Sequence, residues 1–328
     1  MASDRIRLSV AQAREHSERA LRGIGYDAEE ARIVADHVVD AALCGYEYSG
    51  LAKILNIPEH RRFTRPRAAI KVLHETNVSL LLDGGNNVGM LAMYHATRMA
   101  IEKAADRGVA IVGVTNSWMS GRSAYYVEMI AKADLVGIHT AASARSVAPF
   151  GGARPALGTN PIAFGMPSSH GPLVFDMGTS AFMGTDLAYR ERLGELLPEG
   201  VAVDPEGNPT RDPTAARLGA LLPFGGYKGF GLALMVQALG VLAGSALDPG
   251  EQDGYLFIVF KPGLLVGLDE FKTQLGELID RIKETPRQPG VSEIRIPGER
   301  GFRCREQALR EGIEVDRVVY DALAALHV

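Results

Sequence analysis

Cysteine is nearly absent from this sequence: Cys44 and Cys304 are alone in 328 residues. Two thiols so far apart exclude a disulfide scaffold and read as reduced thiols of a cytoplasmic protein. There is no basic excess either. The 35 Lys and Arg stand against 39 Asp and Glu, and a net charge of -4 gives no footprint for nucleic acid. No apolar run approaches the roughly 20 residues of a membrane span. The opening MASDRIRLSVAQ carries no apolar signal core. The eight histidines are scattered, and neither H-x-x-x-H nor C-x-x-C spacing occurs, so metal chemistry has no support. A G-x-S-x-G elbow is missing, as are G-x-G-x-x-G and G-x-x-x-x-G-K-[ST]. These absences leave a soluble protein with no nucleic-acid, membrane or metal partner.

What is present is a series of apolar strands that end in polar, Gly-bearing turns. Val109 to Tyr126 reads VAIVGVTNSWMSGRSAYY: a β-rich run, a bend holding Trp118, the only Trp, and a helix from Ser123. Ligands collect outside the carboxyl ends of strands in α/β proteins, so such a bend is a natural place for a site. Upstream, Ser9 to Gln12 and Asp27 to Glu30 are capping-box patterns that open two helices. The segment Cys44 to Lys53 packs two tyrosines, a Glu, a Ser and a Lys against glycines. Arg61, Arg62, Arg65 and Arg67 read as a solvated basic connection, with an anion site as the sharper alternative. Val78 to Asp83 is a strand, Gly84 to Gly89 a turn, and Met90 to Arg107 a long helix.

After the strand Leu135 to Thr140 the chain becomes Gly-, Pro- and Ser-rich, with apolar residues interleaved, and reads as a shaped loop. His139, at that strand's end, reads as a core or edge histidine. Leu173 to Phe175 ends in Asp176-Met-Gly-Thr-Ser180, and Glu191 to Arg211 reads as a surface excursion. Gly225 to Gly231 is the densest glycine cluster and opens into the apolar helix Leu232 to Leu242. Free N–H groups at a helix start, with Lys228 beside them, suit a phosphate or carboxylate; a tight structural turn is the alternative. Tyr255 to Phe260 and Glu293 to Ile296 read as strands, Asp269 to Ile282, Cys304 to Arg310 and Asp316 to Leu326 as helices. Read from residues alone, the chain is a cytosolic α/β protein that binds a phosphorylated ligand.

The order of NSWMSGRSAYY, VAPFGG, LGTNPIAFGMP, FDMGTS, LLPFGGYKGFGLAL and IPGE narrows this. Together they resemble the malate/L-lactate dehydrogenase family of the non-Rossmann type, over nearly the whole chain. That family also holds ureidoglycolate and sulfolactate dehydrogenases and cyclic imino acid reductases. The resemblance implies a mixed-sheet α/β fold unlike the Rossmann fold, with a helical N-terminal region packed with the C-terminal helix. It divides the chain into a helical region 1–75, with 304–328 packed on it, and an α/β region 76–303. It implies NAD or NADP as cofactor, a small carboxylate as substrate, and a homodimer.

Carried over by position, the cofactor contacts fall on Ser120, Gly121, Ser143, Asp176, Met177, Gly178, Lys228, Gly229, Gly298, Glu299 and Arg300. The substrate-side residues fall on Thr159 and on Lys53, which stands where the family has Arg. Lys keeps the charge and loses the bidentate fork. Three histidines usual in the family are replaced: the Ser-His-Gly stretch is Tyr48-Ser49-Gly50, and Met119 and Tyr227 stand at the other two positions. Tyr48 is therefore the expected proton donor, its hydroxyl made more acidic by a cation such as Lys53, and Ser49 orients substrate or water. Tyr46 and Glu47 are further candidates. The expected activity is hydride transfer to or from a small 2-oxo or 2-hydroxy acid. Reduction of a cyclic or N-substituted imino acid is the alternative, and a non-catalytic dinucleotide-binding homologue is a third reading. Arg122 and Arg300 could each meet a 2′-phosphate.

Overall fold

The computed structural model describes residues 4–246 and 253–327. The chain opens with β1 (Arg5–Leu8), α1 (Val10–Gly23), α2 (Ala28–Leu43), a short 3-10 turn (Glu47–Ser49) and α3 (Ala52–Glu59). Both capping boxes form: Ser9 and Gln12 cap each other at the start of α1, and Asp27 and Glu30 do so at α2. The α/β part follows with β2 (Lys71–Glu75), β3 (Ser79–Val88), α4 (Gly89–Arg107), β4 (Val109–Trp118), α5 (Ser123–Lys132), β5 (Val136–Ala142), β6 (Ile162–Ser168) and β7 (Gly171–Met177). Next come α6 (Gly184–Leu193), β8 (Ala202–Val203), α7 (Pro213–Leu218), β9 (Ala220–Leu221), α8 (Tyr227–Leu242) and β10 (Gly254–Phe260). The chain closes with α9 (Leu268–Lys283), α10 (Glu299–Glu311), β11 (Ile313–Asp316) and α11 (Arg317–Ala324).

The main sheet has seven strands in the order β2-β3-β4-β10-β5-β6-β7. Only β3 and β4 run parallel, because α4 carries the chain across between them; the other neighbours are antiparallel. Strand alternation decides what each face meets. On β4, Ala110, Val112 and Val114 are fully buried with Met93, Ala96 and Ala100 of α4. The other face meets the C-terminal end of α8: the Cβ that Gly113 lacks would lie 3.3 Å from the backbone of Ala243, which caps that helix. That second face is only partly covered, and Ile111 on it is 40% exposed.

A separate core joins the two ends of the chain. Leu21, Val34, Val38 and Ile54 of α1 to α3 are buried with Val319 and Leu323 of α11, and β1 pairs antiparallel with β11. The N-terminal helices thus pack with the C-terminal helix, as the resemblance implied.

Several elements differ from the sequence reading. The expected turn at Gly84–Gly89 is instead the end of β3, to Val88, and the first residue of α4; β3 bulges between Asp83 and Asn87 while staying paired with β4. The shaped loop contains a full strand, β6, and β2, α6 and the β1–β11 pair lie where the sequence reading places no element. Residues 293–296 form no strand, and α10 starts at Glu299 rather than Cys304. The helix expected from Leu232 begins at Tyr227, so Lys228 and Gly229 lie in its first turn.

Candidate active site

The bend after β4 is held in an uncommon backbone shape. Asn116 has φ +50°, Met119 +59° and Gly121 +80°. Side-chain-bearing residues avoid this region unless their surroundings fix them. Arg62 supplies the fixing: it is 1% exposed and donates to Asn116 Oδ1 at 2.6 Å, Asn86 Oδ1 at 2.9 Å and the Ser117 carbonyl at 3.3 Å. The basic connection is therefore not simply solvated. Arg67 likewise bonds Glu30 at 3.0 Å and lies over the Tyr26 ring. His60 stacks on Trp118 with ring centroids 4.3 Å apart.

Beyond this clamp the chain enters a cleft of about 470 Å³. Four segments converge there: Tyr46, Tyr48 and Ser49 from the 3-10 turn; Gly121 and Arg122 from the bend; Asp176, Met177 and Gly178 from the end of β7; and Gly298 and Arg300 from the start of α10. Phe175, Met183 and Phe302 supply apolar walls. Thr159 borders the cleft through Gly178, whose missing Cβ would lie 3.5 Å from the Thr159 carbonyl. Its neighbour Asn160 ties the edge down, accepting the Ser143 N–H at 3.2 Å and donating to the Ala233 carbonyl of α8 at 2.9 Å.

The structure does not bring every expected residue to the cleft. Lys228 is exposed and, with Gly229, opens α8 away from the lining. Ser120 is buried, and its carbonyl accepts the Tyr126 hydroxyl. Glu299 turns to Lys283 and accepts the Ile296 N–H at 3.1 Å. Glu47 is no acid for the cleft: it pairs with Arg5 at 2.7 Å and accepts the Tyr189 hydroxyl at 3.0 Å, beside a second cavity of about 260 Å³ behind the 3-10 turn. His139 is fully buried against Phe257.

The charges have clear physical origins. Lys53 is 4% exposed, and burial brings its ammonium down to about 8. No hydrogen bond or ion pair to that ammonium occurs among the described residues. Lys53 lies one helical turn past Ser49, its backbone N–H on the Gly50 carbonyl at 3.0 Å. Tyr48 is pushed up to about 12 by burial, with the carboxylates of Asp186 and Asp176 and the Tyr46 hydroxyl adding to the shift. The expectation that a cation would make Tyr48 more acidic is thereby corrected. Arg300 pulls the other way, but burial and the carboxylates outweigh it.

Asp176 caps α5, accepting the Ala124 N–H at 2.8 Å. Surrounding protein pushes its carboxyl up, against the pull of the Ala124 N–H, Arg122 and the Ser123 N–H. Solvent still meets it in the cleft and softens this push.

Sequence reasoning missed three features. Arg122 is not a free cation: it pairs with Asp40 at 2.6 Å, and Asp40 in turn pairs with Arg305 at 2.9 Å. Asp186, on α6, lies close enough to act on Tyr48. His37 of α2 packs directly behind Gly121 and Arg122. In sequence, the one signal for the last of these is that His37 falls one turn from Ile33 and Ala41 on the buried face of α2.

Known proteins resemble this chain over nearly its whole length. A malate/(S)-sulfolactate dehydrogenase of Methanothermus fervidus is 35% identical over 93% of this chain and 92% of its own length. A Δ1-pyrroline-2-carboxylate reductase of Ancylobacter novellus is 31% identical over 98% of this chain and 97% of its own. The crystal structure of a dehydrogenase from Sinorhizobium meliloti superposes with a TM-score of 0.91 at 31% identity, covering 99% of both chains. The profile of the malate/L-lactate dehydrogenase family matches residues 8–324, and the chain belongs to that family.

Proposed function

We propose that the chain transfers hydride between NADH or NADPH and C2 of a small 2-oxo or 2-hydroxy acid. The observation that carries this is Lys53: a buried ammonium without a counter-ion among the described residues, one turn behind the cleft, where a substrate carboxylate would neutralise it. The cleft residues also fit a dinucleotide. Gly121, Gly178 and Gly298 present bare backbone to the cleft, and Arg300, which hydrogen-bonds Tyr46, has no carboxylate partner among the described residues. Arg300 is thus available to a phosphate of either cofactor, whereas Arg122 is engaged by Asp40.

Bound nicotinamide would supply the hydride. This chain's residues do the rest. Lys53 attracts and orients the carboxylate, and Thr159 borders the substrate end. The Tyr48 hydroxyl holds its proton through neutral pH and offers it to the developing alkoxide, with Ser49 beside it. Phe175, Met177, Met183 and Phe302 exclude water, which strengthens every charge interaction in the cleft.

A second reading is reduction of a cyclic imino acid. It is favoured by the lack of any imidazole in the cleft lining: a protonated imine brings its own proton, and the donor matters less. Nicotinamide absorbance with oxaloacetate, pyruvate and Δ1-pyrroline- and Δ1-piperideine-2-carboxylate separates the two. Turnover of the 2-oxo acids is expected; turnover of the imines alone would install the second reading. Cofactor binding with no turnover would leave a non-catalytic dinucleotide-binding protein.

The proposal includes a homodimer, and α8 supports it. This largely apolar helix packs chiefly on β5 and β10, and Leu234 is left 46%, Met235 55% and Leu242 72% exposed. A second copy of the chain covers this face in the proposed assembly.

A further inference from the structure

His37 touches the cleft wall from behind without lining the cleft. It is 1% exposed, and its Nε2 accepts the N–H of Arg122 at 2.9 Å. A Cβ placed on Gly121 would come within 2.2 Å of the same nitrogen and 2.9 Å of two ring carbons. The imidazole therefore lies flush against a bare α-carbon at φ +80°, and both consequences of a side chain there, backbone strain and collision, fall on the bend. Arg122 is the N-cap of α5, whose next N–H groups are taken by Asp176. The start of α5 is thus fixed by two side chains: Asp176, from the end of β7 and in the cleft, and His37, from α2 and behind the cleft wall.

An imidazole that accepts at Nε2 must carry its proton on Nδ1. Nδ1 is buried and has no hydrogen-bond partner among the described residues. The bond to Arg122 is therefore the one hydrogen bond that orients this ring. The rings of Tyr125 and Tyr126 pack on it at 4.8 and 5.3 Å. Burial first, then the charges of Arg122 and Lys53, keep it neutral, well below the ordinary histidine range, while Asp40 on the same helix is occupied by Arg122 and Arg305.

We propose that His37 is a positioning residue for the nicotinamide wall: as a neutral acceptor it holds Gly121 and Arg122 in the shape the cofactor binds. This rests on the dinucleotide reading given above. His37 moves no proton to substrate; it sets where the backbone of the bend stands.

The test compares His37→Leu, which keeps bulk and loses the acceptor, with His37→Gln, whose Oε1 can replace Nε2. Hydrogen exchange at the Arg122 amide and calorimetric Kd for NADH and NADPH are measured on both and on the wild-type chain. His37→Leu is expected to speed exchange at Arg122 and weaken the preferred cofactor about tenfold, the worth of one such hydrogen bond. His37→Gln is expected to restore both to near the wild-type values. Unchanged exchange or unchanged Kd in His37→Leu, with wild-type binding intact, overturns the role of His37 alone; so does failure of His37→Gln to recover binding while folded. Wild-type protein that binds neither cofactor overturns the dinucleotide reading, and the role of His37 with it.

Discussion

Lys53 buries an ammonium with no counter-ion among the described residues, and its titration follows from that burial. Its pKa is about 8 in the folded chain against 10.5 for the ordinary side chain. Between those values the unfolded chain binds the proton and the folded chain does not, so this residue's contribution to stability improves as pH rises through that window. Below about pH 8 both states are charged, and the folded state carries the full burial cost of about 3 kcal/mol, since each tenfold loss of proton affinity is worth about 1.4 kcal/mol. Lys53→Met should therefore raise the unfolding free energy at pH 7 by about 1–3 kcal/mol while sharply raising KM for a carboxylate substrate. Denaturant melts and steady-state kinetics check the two halves. The wild-type kcat/KM should fall above about pH 8 as the ammonium loses its proton. Lys53→Arg should remove that limb, since a guanidinium stays charged; the same limb in both proteins would take Lys53 out of substrate binding. Tyr48→Phe should lower kcat about 100-fold with cofactor affinity kept, if a ketone is the substrate. Loss confined to KM would instead make Tyr48 a wall of the pocket.

At the scale of elements, the bend after β4 shows what sequence can and cannot reveal. The strand, the polar turn and the following helix were legible from the β-rich run and the Gly-bearing bend that ends it. The clamp was not, because Arg62 lies in a run of four arginines that look alike in sequence, and only packing singles one out as 1% exposed. Arg62→Met should cost about 3 kcal/mol or more in a urea melt, since it leaves Asn86, Asn116 and the Ser117 carbonyl without their shared donor. Arg98→Ala, which removes an exposed pair with Glu102 at 4.0 Å, should change stability by under about 0.5 kcal/mol. Strand β6 escaped notice for a related reason. Its IAFGMPS carries Gly165 and Pro167, which read as loop, yet Gly165 pairs with both β5 and β7 and admits the close approach of Val127, while Pro167 pairs with β7 alone.

At the scale of the whole molecule, the fold was legible because its motifs are long and ordered along the chain. Which of the carried-over residues share the cleft was not. Tyr48, Asp176, Gly298 and Arg300 meet there only because β7 ends beside the 3-10 turn and α10 starts across from it. Lys228 and Glu299 sit on matching motifs and still point elsewhere, since a motif fixes backbone and not side-chain direction. The exposed face of α8 carries a prediction at this scale. The wild-type chain should sediment as a dimer and a Leu234→Glu, Met235→Glu double variant as a monomer; a wild-type monomer would remove α8 as the interface.

Hydride transfer is assigned to the cleft between the 3-10 turn, the β4 bend and the end of β7, and every proposed role depends on that assignment. Diffraction from crystals grown with reduced nicotinamide cofactor and oxamate, an inert 2-oxo acid mimic, tests it most directly. The nicotinamide ring is expected against Gly121 and Gly178, with the oxamate carboxylate on Lys53 and its carbonyl facing Tyr48. Cofactor or oxamate seated in the cavity behind the 3-10 turn, or a Lys53 that stays unpaired with oxamate bound, would contradict it.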